Sequence, residues 1–179
     1  MTVPSVAELP EAEPTAVAPR RSPLAPQGYD RILAVAALLM LAAVTAAIAR
    51  GHAEWNQVPP TIWAHIGTIV VALVLTPVML LRPRGDSLHR ALGWIWAVAL
   101  FGTALLSFWV RTINPGHFSV IHLLSAFTLL QVPLIVLYAR RHNWKRHRMA
   151  VRGMVTGALL VAGFFTFPFG RLMGLWLFG

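Results

Sequence analysis

Residues 61–81 read TIWAHIGTIVVALVLTPVMLL, an apolar run whose single ionisable side chain is His65. About 20 such residues in an α-helix cross the roughly 30 Å hydrocarbon core of a bilayer. Working outward, comparable runs occupy 32–49, 88–110, 118–138 and 147–167. The chain is 57% hydrophobic and only 12% charged, too apolar for a soluble domain of 179 residues. Only helices or closed barrels satisfy the backbone in lipid, and barrel strands alternate in hydropathy, which these runs do not. The sequence therefore predicts an all-α, polytopic membrane helical bundle of five transmembrane helices. Helices 2–5 should form a four-helix core. The first, rich in Ala, Leu and Val, reads as a scaffold or lipid-facing helix whose Thr45 bonds back to its own backbone.

The connections fit this plan. Residues 1–29 carry Pro4, Pro10, Pro14, Pro19, Pro23 and Pro26 and read as a disordered tail, without the basic-then-apolar order of a signal peptide. Residues 50–60 form a loop, Pro77 should kink the second helix, and 82–86 is a tight turn. Asn114-Pro115-Gly116 marks a turn. Residues 170–179 are too short to cross again and should lie at the interface or pack on the bundle. The only acids beyond the tail, Asp30, Glu54 and Asp86, fall outside the expected spans.

Charge sets the orientation. The net charge of +9 would point to nucleic acid in a soluble chain, but here the cations read as loop anchors. Arg and Lys concentrate around the tail, the 82–90 turn and the 140–152 loop, leaving Arg50, Arg111 and Arg171 for the other side. By the positive-inside rule the N-terminus is cytoplasmic, in a cell inner membrane. The absence of cysteine removes disulfides, thiolate ligands and covalent haem attachment. No intramembrane carboxylate, hydrolytic motif or phosphate loop is legible, so transport and hydrolysis have no equipment.

Histidine inside membrane-length helices suggests function. His65 and His122 sit near the outer starts of the second and fourth helices, His89 and His147 near the inner starts of the third and fifth. The separations are nearly equal, 65 to 122 and 89 to 147. Imidazole is a ligand for iron, and a low-spin haem takes one axial nitrogen from each face. Gly93 and Ser125, beside these histidines, would admit the ring. Arg82, Arg84, Arg90 and Arg148 near the inner pair, and Arg50 and Arg111 near the outer, could pair with propionates. Each arginine could equally anchor topology, and any single histidine could bond a carbonyl. His52, His117 and His142 fall in loops.

The elements around His65, Leu88-His89-Arg90-Ala91-Leu92-Gly93-Trp94, His117-Phe118-Ser119 with His122, and His147-Arg148-Met149 resemble a family of bacterial predicted membrane proteins known as domain of unknown function 2306. The resemblance spans about residues 30–170 and implies a multi-pass membrane protein. More distantly, the paired-histidine layout is similar to the cytochrome b561 proteins, which implies two b haems held between alternate helices.

These readings lead to one expectation: a b-type dihaem protein carrying electrons between the membrane faces. His65 and His122 would be the axial ligands of one haem b, His89 and His147 of the other, with Arg90 and Arg148 binding the cofactor. Any enzyme activity would be that of a transmembrane oxidoreductase. The alternative is a non-enzymatic membrane scaffold or assembly factor with structural or transient metal-binding histidines. Expected partners are the lipid bilayer and an electron donor and acceptor, with room for a homo-oligomer and no nucleic acid.

Overall fold

The computed structural model describes residues 25–110 and 120–179, all helix and turn among the described residues. Helix α1 spans Gly28–Arg50 and runs into a 3-10 helix, Gly51–Gln57. Helix α2 spans Pro60–Leu81, α3 Ser87–Ser107 and α4 Val120–Arg140. Helix α5, Trp144–Met154, continues without a break through a π-helical stretch, Val155–Val161, into the short α6, Ala162–Phe164. Helix α7, Leu172–Phe178, closes the chain. Among the described residues, four helices are long and apolar enough to cross a membrane: those beginning at Gly28, Pro60, Ser87 and in α4. The fifth rod, α5–α6, is set apart by Lys145, Arg146, Arg148 and Arg152 in its first turns.

The chain sets its own boundaries. Pro60 is accommodated at the start of α2, where its missing N–H would have been unsatisfied anyway. Asp86 caps α3 by accepting from the His89 backbone N–H at 2.7 Å. Asn143 Oδ1 accepts from the Arg146 N–H at 3.2 Å and starts α5 three residues before the expected 147. Helix α3 ends at Ser107, three residues before the expected 110, and α2 passes through Pro77 uninterrupted.

Consecutive helices pack in sequence, α1 on α2, α2 on α3, α3 on α4 and α4 on α5. The ring closes where α1 meets the π-helical stretch. This corrects the expectation that α1 stands outside a core of the later four helices. Ala34, Ala37 and Ala47 are fully buried, and Leu33, Ala34, Ala37 and Val44 share one core with Ala72, Leu73, Leu100, Ile135 and Met154. Without a strong hydrophobic drive inside lipid, small side chains that let backbones approach make such contacts favourable. The opposite face of α1 does stay outward, with Ile32, Val35 and Leu39 more than half exposed. Thr45 donates to the Leu41 carbonyl at 2.9 Å, as its sequence context indicated.

One boundary also moves at the end of the bundle where α1 begins, called the inner end from here on, the opposite one being the outer end. Helix α1 starts at Gly28, inside the stretch assigned to the tail, and Asp30 lies within its first turn rather than outside the span. Asp30 is fully buried there. The reason is local. The Asp30 carboxylate accepts the Gln27 backbone N–H at 2.8 Å, half of a capping box, which draws the helix start back. At the outer end α7 packs on the bundle, with Met173 and Trp176 buried beside Ala47 and Ile66. Residues 1–24 of the tail and the expected 111–117 loop, including Arg111 and His117, lie outside the described residues.

Candidate functional site

Asp30 is the hub of the inner end. Arg84, from the α2–α3 turn, reaches its Oδ2 at 2.8 Å, and Arg152, from α5, reaches its Oδ1 at 2.8 Å. Arg152 also donates to the Gln27 side-chain oxygen at 2.8 Å. Arg84 and Arg148 both donate to the Ala25 carbonyl, at 3.1 and 3.3 Å. One carboxylate thus ties together the entry of α1, the α2–α3 turn and α5. A buried charge is tolerable only when paired and hydrogen-bonded, and here both carboxylate oxygens are engaged by cations.

Beside this cluster lies a cavity of about 750 Å³, within the usual range for small-molecule and cofactor sites. His89 and His147 both line it, with Gly93, Trp96, Arg90 and Arg148. His147 Nδ1 lies 3.0 Å from the Ile135 carbonyl. A carbonyl oxygen can only accept, so Nδ1 carries the proton and Nε2 keeps its lone pair, the tautomer a metal ligand needs. His89 Nδ1 is buried and has no hydrogen-bond partner among the described residues. A buried polar atom left without a partner calls for an explanation, and an absent ligand is one. On these grounds the inner residues fit a haem: two imidazoles, an apolar and aromatic wall, and cations for its acid groups.

The outer pair is arranged differently. His65 Nδ1 donates to the Thr103 carbonyl at 3.1 Å, so it too keeps an Nε2 lone pair. It lines a cavity of about 210 Å³ with Thr103, Ser107, Ser125 and Thr128, below the roughly 300 Å³ at which cofactor sites begin. His122 is buried with its ring 5.8 Å from that of Phe108 and is not among the residues lining this cavity. His65 and His122 therefore do not share this cavity as they lie.

The arginines also separate by role. Arg90 lines the inner cavity, exposed, with Nη1 donating to the Gly85 carbonyl at 2.7 Å. Arg148 is 8% exposed and held toward Ala25. Arg82 is taken by Asp86 at 2.7 Å and does not line the cavity. Asp86 sits outside the helices, and the His89 N–H and then Arg82 hold its carboxyl below its ordinary value of 3.8. Sequence reasoning missed Asp30, Arg152 and His142, which also lines the cavity. A lone acid three residues past a Gln at the mouth of an apolar run was the available signal for Asp30; His142 had none.

Gly93, expected to admit the ring, lines the cavity against the Met79 methyl, whereas Gly67, Gly153 and Gly157 face open space. Compared with family models, curated proteins and solved structures, the chain matches none.

Proposed function

We propose that this chain is an integral membrane b-type haem protein serving electron transfer, with haem held at the inner end by His89 and His147. The observation that carries the reading is the shared cavity of about 750 Å³, in which the Ile135 carbonyl holds the proton of His147 on Nδ1, so that Nε2 would be its ligand atom, and His89 presents a buried nitrogen without a partner among the described residues. Haem bound there supplies one-electron redox chemistry. The chain does the rest: Trp96, Ala97 and Val136 exclude water, the Asp86 cap fixes the first turn carrying His89, and Arg90 offers a guanidinium to an acid group.

In this proposal all five rods span a bacterial inner membrane, α5–α6 being the fifth, with the N-terminus cytoplasmic and a donor and an acceptor on opposite sides. The dihaem form, with a second haem on His65 and His122, rests on their matched sequence positions. It requires the outer helices to open beyond the small cavity described.

The test is an optical spectrum of the purified protein, oxidised and then dithionite-reduced, with haem counted per chain. Sharp b-type bands with one haem support the inner site alone, and two haems support the dihaem form. His147→Ala should abolish the inner haem while the helical circular dichroism persists. A colourless, folded protein from cells supplied with haem precursor sinks the proposal and favours the scaffold reading.

A further inference from the structure

The turn between α4 and α5 gathers Arg140, Arg141, Lys145 and Arg146 within seven residues. The ion pairs among the described residues use only Asp30 and Asp86, so none of these four cations has an acidic partner there. Three are instead parked on aromatic rings: Arg140 over Trp94 at 5.9 Å, Lys145 over Trp144 at 5.5 Å, and Arg146 over Tyr138 at 5.9 Å. Trp94 and Trp144 are themselves 52% and 43% exposed. The turn is sharply defined, with His142 in the left-handed region at φ 52° and Asn143 capping α5.

We propose that this corner, which shares Trp94, Arg140 and Trp144 with the lining of the inner cavity, is a binding site for the headgroup of an anionic phospholipid. Tryptophan and tyrosine settle at the headgroup level of a bilayer, and a cation stacked on them is held at that depth. Three cations at headgroup depth, without acids among their described neighbours, are complemented by phosphodiester groups bearing net negative charge. An acidic soluble protein would dock farther from the membrane and would not require the aromatic rings. Because the turn is fixed by a cap and a left-handed residue, the cations present a set pattern rather than a diffuse charge. The site therefore distinguishes an anionic headgroup from a zwitterionic one of the same size.

The test uses the full chain in bilayers of phosphatidylcholine, with spin-labelled phosphatidylglycerol or phosphatidylcholine as probe. Phosphatidylglycerol should associate preferentially, and the preference should fall with added salt. Each cation removed should weaken it about fivefold, the factor expected for one charge near an anionic surface. Arg140→Gln/Lys145→Gln/Arg146→Gln should abolish it, while Arg50→Gln/Arg171→Gln should not. Glycerol phosphate in solution should compete only weakly; full competition by it would mean a free-anion site and overturn the lipid assignment. Equal association of the two probes, or a preference that survives the triple substitution, would overturn the proposal. Should the triple variant fail to fold, Arg146→Gln alone and the salt titration of the unaltered chain still decide. Binding of an acidic protein with no lipid preference would also overturn it.

Discussion

Asp30 shows how much one side chain can organise. It is fully buried and joined by Arg84 and Arg152, so removing its charge strands two guanidinium groups. Breaking a buried pair by deleting one partner costs about 3 kcal/mol or more. Asp30→Asn should lower the thermal midpoint of the purified protein markedly, whereas Arg82→Gln, whose partner Asp86 is exposed, should change it little. Asp86 gives a pH signature. Its carboxyl is held below 3.8 by the His89 N–H and Arg82, so its contribution is complete above that value. It is lost as pH falls through the lowered value. The difference in thermal midpoint between the unaltered chain and Asp86→Asn should therefore be constant at neutral pH and shrink under strong acid. At His147, His147→Gln keeps a polar side chain but removes the imidazole. It should eliminate haem binding in the inner cavity while leaving helicity intact, read by the reduced spectrum and circular dichroism.

Among the elements, α7 and the fifth rod behave differently from their sequence appearance. The stretch ending in Phe178 is too short to cross, yet it is docked by a specific contact: Trp176 lies directly against Gly51 and donates its indole N–H to Glu54 at 2.9 Å. A Cβ at Gly51 would collide with the indole ring itself. Gly51→Ala should therefore displace α7 and cost about 1–3 kcal/mol, the range for forcing an extra carbon into a packed site. Gly157, facing open space, provides the contrast. Gly157→Ala, within the π-helical stretch 155–161, should leave the thermal midpoint unchanged or raise it. That π-helical stretch joins the two ends of the molecule, with Val155 on the inner cavity and Ala158 and Leu159 on the outer. Such stretches recur at functional sites, and a spectral change in an otherwise stable Gly157→Ala protein would mark this one as such.

For the whole molecule, the arrangement is a ring closed by α1 against the fifth rod, with a roomy cationic cavity at one end and a small hydroxyl-lined one at the other. The proposed orientation can be read directly because the chain has no native cysteine. Single substitutions Arg141→Cys and His52→Cys should label from opposite sides with a membrane-impermeant maleimide, the former only in inverted vesicles. Labelling of both from one side would refute the topology.

The sequence by itself determined what depends on composition and length: helical rods of membrane length, the asymmetry of cations, the start of α2 at its proline pair, and the place of each histidine along its helix. Depth follows from position along a helix at a fixed rise, so it can be counted. Rotation about the helix axis and the choice of neighbours cannot, because they depend on how side chains of different rods interlock. Hence His89 and His147 share a cavity, while His122 turns to Phe108 and leaves His65 with a small space of its own. The alanine face of α1 looked suited to lipid, and only packing against α2 and the fifth rod made it core. Asp30 looked like an acid outside the spans, and only the arrival of Arg84 and Arg152 from distant parts of the chain could neutralise it enough to be buried. Local signals are written in neighbouring residues; burial of charge and the pairing of rings are properties of contacts between residues far apart in the chain, and these the tertiary structure alone decided.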